Sequence, residues 1–434
     1  MNRNDRSIVA LVMLAHGMVH TYELSIPIFI PIWLDAFDVI SLGPVELAVT
    51  SATLGVLVTI GYGLFGLGAL PGGILVDRVG SRRLIIICLA GMAGSFLLLG
   101  TAPGLVAITL AMVVWGVSAS IYHPAGLALI SKGVEERGSG FAYHGIAGNL
   151  GIGLGPLLTA VMLLFFDWRA VAMMLAVPAL LAAAYATTAS FDETAAVETV
   201  TDGGNSKASS GVDSLAGFRS ETARLFTGSF ALVFLVVMCS GLYYRGILTF
   251  MPDLLQGLPT FEPIPVSSVV PTDLLETLGI ESIAARRVRP GDYFYSGLLM
   301  VGVLGQFVGG KLTDRIPVEH GIAGGFGLLT VLAVLFLPAA NAGVLPLLAL
   351  GFVLGAALFV VQPFYQATVA EYTPARTRGL SYGFTYLGVF GVGALGGTVA
   401  GVILQYANAP VLFVVLACFA LVACSVGIWL GRGR

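Results

Sequence analysis

The sequence predicts an all-α integral membrane protein of twelve transmembrane helices, arranged as two pseudo-symmetric six-helix bundles. Of its 434 residues, 57% are hydrophobic and only 10% are charged, whereas soluble domains carry about 25% charged residues. The chain divides almost wholly into apolar stretches of about 20 residues, the length that spans a bilayer. Its 57 glycines agree with this class, because membrane helices pack through small residues.

Six of the predicted helices precede residue 191 and six follow residue 224. The first apolar stretch is too long for a signal peptide, so we expect it to be retained as a helix. The predicted bounds are 8–33, 47–70, 84–101, 105–130, 140–166, 170–190, 226–252, 292–311, 321–339, 344–370, 379–405 and 410–431.

The polar stretch 191–224 predicts a linker between an N-terminal bundle, 1–190, and a C-terminal bundle, 225–434. Most lysines and arginines fall on the side of this linker, so the positive-inside rule predicts cytoplasmic termini and a cytoplasmic linker in the plasma membrane. A longer loop, 253–291, lies on the opposite side. Its segment 271–279 predicts a short amphipathic helix, either a lid over the outer opening or a passive helix on the rim.

The two halves carry repeated motifs. Gly72-Gly-Ile-Leu-Val-Asp77-Arg78 recurs as Gly309-Gly-Lys-Leu-Thr-Asp314-Arg315, each copy after the second helix of its half. Tyr122-His123-Pro124 is matched by Val361-Gln362-Pro363, each late in a fourth helix. Transporters are commonly built from such parallel halves, with the binding site between them.

The segment from Gly73 to Arg83 suits a tight hairpin between two helices, where Asp77 can favour a helix N-terminus and pair with a nearby arginine. Alternatively it is a solvated charged turn. It resembles the loop signature of the major facilitator superfamily, and Gly310 to Arg315 resembles the weaker repeat of that signature. The resemblance covers essentially the whole chain and implies a role in conformational switching. The residues it implies are Gly73, Asp77, Arg78, Gly80, Arg82, Arg83, Gly310, Asp314 and Arg315.

A narrower resemblance concerns the fourth and fifth helices. Ser120-Ile-Tyr-His123-Pro124, followed by the run from His144 to Pro156, resembles the fosmidomycin-resistance group of efflux proteins. Two features depart from that group: Ala125 stands where an acidic residue is expected, and the loop 253–291 is extra. The resemblance implies export by proton exchange without identifying the solute.

Ionisable groups inside spanning helices are costly unless they face a partner or water, so each is a functional candidate. His16, His20 and Glu23 are spaced by four and three residues and therefore share one face of the first helix. The family resemblance implies that helices one, four, seven and ten line a central cavity, where most of the polar residues fall. We expect a substrate and proton cavity lined by His16, His20, Glu23, Tyr122, His123, His144, Asn149, Arg245, Gln362 and Gln366.

Two interpretations of this cluster stay open. Because histidine titrates near pH 6.5, Glu23 and the histidines could load and release a proton. Alternatively, Glu23 forms a structural ion pair with Arg245 and the histidines bond backbone carbonyls. Arg245 could also attract a carboxylate, phosphate or phosphonate through a forked hydrogen bond. An aromatic wall, or simple packing, is predicted for Trp115, Tyr122, Tyr243, Tyr244, Tyr365 and Tyr382.

These observations favour a secondary active transporter that exports a small anionic or amphipathic solute by proton-coupled alternating access. The alternatives are a symporter or uniporter for uptake of a small organic anion, and a sensor or interaction protein that does not transport. We find no Walker motif, metal cluster or catalytic triad in the sequence, so we expect no enzyme, metal or cofactor. The net charge of −3 predicts no nucleic-acid partner. We expect a monomer whose partners are the solute, protons and the bilayer.

Overall fold

Twelve helices of the structure are long and apolar enough to cross a membrane, which confirms the predicted fold class. The computed structural model describes residues 1–197, 215–226, 228–373 and 378–432. In chain order the spans are α1 Arg3–Ala36, α2 Ser51–Val76, α3 Ser81–Thr101, α4 Leu105–Gly133, α5 Arg137–Met162, α6 Trp168–Thr188, α7 Phe230–Leu248, α8 Pro290–Thr313, α9 Val318–Ala342, α10 Val344–Tyr372, α11 Leu380–Tyr406 and α12 Ala409–Arg432.

Capping groups fix where several helices begin. The side chain of Asn2 accepts from the Asp5 amide at the start of α1, and Thr50 forms a reciprocal capping box with Thr53 before α2. Asp167 accepts from two amides at the start of α6. Such caps satisfy donors that the first helical turn leaves without an intrahelical partner.

The structure contradicts the predicted start of the second helix at residue 47. Val39–Leu42 and Val45–Ala48 instead form an antiparallel hairpin, β1 and β2, and the helix begins at Ser51. The apolar residues of this hairpin extend the apolar pattern of the helix toward the N-terminus, so hydropathy alone does not separate the two elements. The turn between the strands uses Gly43 at a positive φ of 67°.

The two bundles meet along α2 with α11 and along α5 with α8. Glycines allow the close approach, since a Cβ on Gly55 would lie 2.7 Å from the carbonyl oxygen of Gly397. The Thr59 hydroxyl donates to the Ala394 carbonyl at 2.8 Å. A π-helical turn, Leu387–Val392, interrupts α11 beside this interface, and such turns often occur at functional sites.

We call the side on which α1 begins and α12 ends the terminal side, and the opposite side the loop side. On the loop side, Ile264–Pro265 pairs with Arg287–Val288 as β3 and β4. The loop also contains the short helix Thr272–Thr277 and a small apolar cluster that packs against Leu164 of the other bundle. The predicted short helix is therefore present, and the loop to which it belongs contacts both halves of the molecule.

A pair of carboxylates lies near the boundary between the bundles on the loop side. Asp253 belongs to the short helix Met251–Gln256, and Asp35 lies near the end of α1. Burial, together with the Asp35 carboxylate, raises the pKa of Asp253 to about 6. Ionised Asp253 is therefore disfavoured where this end of α1 meets the C-terminal bundle.

Candidate functional site

A cavity of about 300 Å³ lies between the two bundles. Nine of the ten residues expected on its wall are there: His16, His20, Glu23, His123, His144, Asn149, Arg245, Gln362 and Gln366. The tenth, Tyr122, does not line it. Its ring is fully buried and its hydroxyl donates to the Val12 carbonyl at 2.7 Å, so Tyr122 holds α4 against α1.

Four tyrosines of the predicted aromatic wall line the cavity, namely Tyr243, Tyr244, Tyr365 and Tyr382. Trp115 is instead buried, where it packs against Tyr62 and Phe65. Sequence reasoning missed Tyr386 and Phe390 of α11, which lie on the wall and pack against His123. The glycine-rich run of α11 gave no signal for them.

Three hydrogen bonds in series connect Glu23 to α5. The Glu23 carboxylate Oε2 lies 2.6 Å from Nδ1 of His20. Nε2 of His20 lies 3.0 Å from Nε2 of His16, and Nδ1 of His16 lies 2.7 Å from the backbone carbonyl oxygen of His144. The sequence placed three of these residues on one helical face, but it did not reveal the bond from His16 to α5.

Ring packing holds the histidines in this geometry. The imidazole of His144 stacks on that of His16 with centroids 3.8 Å apart, and His123 meets His16 edge to face at 5.3 Å. Gly148 makes room for His16, because a Cβ at that position would lie 2.6 Å from Nδ1 of His16. Nε2 of His144 is buried without a hydrogen-bond partner among the described residues.

An ion pair between Glu23 and Arg245 joins the two bundles at the end of this hydrogen-bonded series. Each residue is only 2% exposed. The Arg245 guanidinium lies over the Tyr62 ring, 3.7 Å from its centroid, and the Tyr62 hydroxyl donates to the Glu23 backbone carbonyl at 2.6 Å. The pair predicted as a structural alternative is present, and the same carboxylate also bonds His20.

The cavity lies on the terminal side of this ion pair. Leu127 of α4, His144 of α5, Gln366 of α10 and Tyr382 of α11 line it, and each belongs to the half of its helix nearer the terminal side. On the loop side the bundles are packed together by α2 and α11, and Tyr295 of α8 donates to a backbone carbonyl of α1 at 3.2 Å. The arrangement is that of a transporter closed on the loop side.

Three imidazoles of the cavity are close enough to hold a metal ion. The nearest ring nitrogens of His16, His20 and His123 all lie within 4.8 Å of one another. Two of these rings use their second nitrogen in the hydrogen-bonded series. The sequence-based expectation of no metal stays a prediction.

The nine residues expected in the conformational switch lie outside the cavity wall, on the terminal side. Gly80 forms the turn between α2 and α3 with φ of 89°, a conformation that favours glycine. Arg82 donates to the carbonyls of Ala186 and Thr187 at the end of α6, at 2.7 and 2.9 Å. In the second copy Asp314 and Arg315 are exposed just after α8.

A residue outside the motif caps the helix for which Asp77 was considered. The Glu193 carboxylate accepts from the amides of Ser81 and Arg82 at 3.0 and 3.3 Å, at the start of α3. The side chain of Asp77 lies outside the described residues. Glu193 is at the beginning of the predicted linker, and its spacing from the motif offered no sequence signal. A capping role there is thus supplied from the far end of the N-terminal bundle.

The family model described as the Major Facilitator Superfamily matches residues 9–272 and 266–433 of this chain. Among solved structures, a bacterial homologue of the human lysosomal transporter Spinster, in an inward-facing and unoccupied conformation, superposes with a TM-score of 0.74. It is 13% identical, with 100% of this chain and 98% of that chain covered. A variant of the nucleoside transporter NupG gives 0.71, at 13% identity over 98% and 99% of the two chains.

Curated relatives match only part of the chain. The puromycin resistance protein of Streptomyces alboniger is 34% identical over 108 residues, 24% of this chain and 22% of that protein. A Na⁺, Li⁺, K⁺/H⁺ antiporter of Planococcus maritimus is 33% identical over 105 residues, 23% and 24% of the two. A probable L-galactonate transporter of Escherichia coli (strain K12) is 24% identical over 126 residues, 29% and 28%. The matches thus span about a quarter of each relative.

Proposed function

The chain belongs to the major facilitator superfamily, and from this premise we propose that it exports a small amphipathic or anionic solute in exchange for protons. The observation that carries the proposal is the buried site where Glu23 bonds both Arg245 of the other bundle and the histidine series. Such a site responds to a proton and to the closure of the molecule through one carboxylate. The proposed solute site is the cavity beneath it.

Alternating access follows from the position of the ion pair. Glu23 lies in α1 and Arg245 in α7, so their contact is made only while the bundles meet on the loop side. Opening that side separates the two charges and exposes them to water. A proton or solute moves this equilibrium only by binding one of the two states more tightly. We assign to the segment from Gly73 to Arg83, and to its repeat, a part in that switching.

The names of two partial relatives, a drug resistance protein and a proton antiporter, support export by exchange. The likeness to the fosmidomycin-resistance group belongs to the same proposal. The side chains on the wall also fit an amphipathic solute, since tyrosines alternate there with amide groups of Asn149, Gln362 and Gln366. We further propose that the molecule acts as a monomer in the plasma membrane.

A second candidate, proton-coupled uptake of a small organic anion, is favoured by one observation. Arg245 is already neutralised by Glu23, so an anionic solute would gain Arg245 most easily when Glu23 is protonated. Proton and anion would then occupy the same state and travel together. The partial relative with a galactonate transporter's name agrees with this chemistry.

The test is a solute screen with purified protein in liposomes under an imposed pH gradient, with the membrane potential held at zero. Exchange predicts that the solute accumulates on the acidic side, whereas cotransport predicts accumulation on the alkaline side. Protein-free liposomes and liposomes with the gradient reversed are the controls. A protein that moves no solute in either direction would favour the sensor hypothesis.

The terminal side is proposed to face the cytoplasm, from the distribution of lysine and arginine. Protease added to intact cells should leave the linker 191–224 uncut, while inside-out vesicles should expose it. Cleavage from outside intact cells would reverse the orientation and, with it, the direction assigned to export.

A further inference from the structure

The histidine series defines how many protons the site holds when every bond in it is made. It has three links: Glu23 to His20, His20 to His16, and His16 to the backbone carbonyl of His144. Each link joins two electronegative atoms at 2.6 to 3.0 Å, distances at which a hydrogen bond needs one proton between them. The series as a whole therefore needs three protons.

The carbonyl end fixes the arrangement, because a carbonyl oxygen only accepts. Nδ1 of His16 must carry a proton for the third link. If Glu23 is ionised, its oxygen also only accepts, so Nδ1 of His20 must carry a proton for the first link. Both neutral imidazoles would then turn an unprotonated Nε2 toward each other at 3.0 Å, which is repulsive unless a proton lies between them.

Two neutral histidines and one carboxylate bring two protons to a series that needs three. We infer that His16, His20 and Glu23 hold one shared, exchangeable proton, and that this proton is the one coupled to transport. The inference rests on the proposed function for the word coupled. The proton has equivalent positions along the series: on Glu23, with both imidazoles turned to the other tautomer at His20, or between the two Nε2 atoms. Moving it changes the tautomer of His20 but not the number of protons.

The groups that face the series decide the charge of the loaded site. Arg245 and Glu23 cancel each other, so the third proton leaves the site with one net positive charge. The histidines and tyrosines that pack around it stay neutral in this count. They are His123 and Tyr122 of α4, His144 of α5, Tyr62 of α2, Tyr244 of α7 and Tyr295 of α8.

The series also has a direction along α1. From Glu23 to His16 it covers seven residues, about 10 Å of helix rise, and it runs from the interbundle ion pair toward the terminal side. Glu23 becomes accessible when the loop side opens, whereas His16 and His144 lie on the wall of the cavity on the terminal side. A proton taken up at one end can therefore be released from the other without crossing the rest of the bundle.

The direct test needs no solute. Protein labelled with ¹⁵N-histidine is placed in lipid bilayers, and its imidazole nitrogens are followed by solid-state nuclear magnetic resonance between pH 5 and 8. The expected spectrum contains two Nε2 signals joined through one hydrogen-bonded proton. His16→Gln and His20→Gln should each abolish this pair of signals. His320→Gln, in an exposed terminal-side position after α8, should leave it intact.

The wild-type spectrum decides the matter even if a variant fails to fold. Two independent neutral imidazoles over the whole pH range would overturn the inference. So would a signal pattern that changes to metal-bound imidazole when Zn²⁺ is added at micromolar concentration, since the Nε2 atoms would then face a cation rather than share a proton.

A stoichiometry measurement separates this inference from the proposed function. For a neutral solute exchanged with one proton at zero membrane potential, a pH difference of one unit should sustain about a tenfold solute gradient, against about a hundredfold for two protons. Transport driven by two protons would overturn the count and leave the proposed function standing. A shared proton in a protein that transports nothing under a pH gradient would refute the coupling and leave the count intact.

Discussion

Neutralising Glu23 should shift the molecule away from the state that is closed on the loop side. In Glu23→Gln, Arg245 keeps its position over the Tyr62 ring but loses its carboxylate. Both partners are 2% exposed, and removing one member of such a buried pair costs about 3 to 5 kcal/mol. We take about 3 kcal/mol, because the ring and the glutamine oxygen still contact the cation. When the loop side opens, water solvates Arg245, so the cost falls on the closed state alone.

That cost corresponds to about a 150-fold change in the ratio of open to closed molecules. The assay is the distance between spin labels at Glu46 and Asn408, exposed residues of the two bundles on the loop side, in a background without the four native cysteines. Glu23→Gln should populate longer distances, and the double variant Glu23→Gln with Arg245→Gln should restore most of the short ones. The double variant is the control for fold, because it removes both charges together.

The reasoning fails if well-folded Glu23→Gln keeps the wild-type distance distribution. It fails equally if the double variant opens as far as the single one, because the effect would then come from the change of side chain and not from an unpaired charge. Loss of thermal stability in Glu23→Gln without any change of distance would show that the pair supports folding and does not gate the loop side.

Three further outcomes are expected. Asp77→Asn should slow turnover while solute affinity stays within a few fold, measured by transport and equilibrium binding; an equal loss of both would contradict a switching role. Because the folded-state pKa of Asp253 is raised to about 6, its contribution to stability is full below about pH 4 and lost as pH rises to 6; Asp253→Asn should abolish that loss in thermal unfolding, and an unchanged pH profile would refute it. Gly148→Ala should displace His16, cost about 1 to 3 kcal/mol and weaken proton coupling, whereas Gly145→Ala, where a Cβ meets open space, should behave as wild type.

Hydropathy was sufficient to predict the twelve helices, since each span must be apolar over the thickness of a bilayer whatever it packs against. It failed where an apolar stretch folds outside the membrane, as in the hairpin Val39–Ala48. It also merged α7 with the short helix Met251–Gln256 as 226–252, although the two are separate elements around Pro252.

The site was predictable in its members but not in its connections. Spacing placed His16, His20 and Glu23 on one face, and the cost of buried charge made each a candidate. The bond from His16 to a carbonyl of α5 depends on how closely two helices approach, which Gly148 permits. Nothing in a list of ionisable residues shows that approach. The cap that Glu193 places on α3 was missed for the same reason, because it joins segments 112 residues apart.

The two oxygens of Glu23 explain how one proton can be linked to one opening. Oε2 bonds His20 and Oε1 bonds Arg245, so a proton that moves onto the carboxylate weakens the ion pair and favours separation of the bundles on the loop side. When the proton passes to the pair of Nε2 atoms, Glu23 regains its charge, binds Arg245 again and closes the loop side. The proton is then nearest the cavity on the terminal side, from which it can leave. In the proposed orientation this carries protons inward, and a solute that binds the cavity after the proton has left is carried out on the return step.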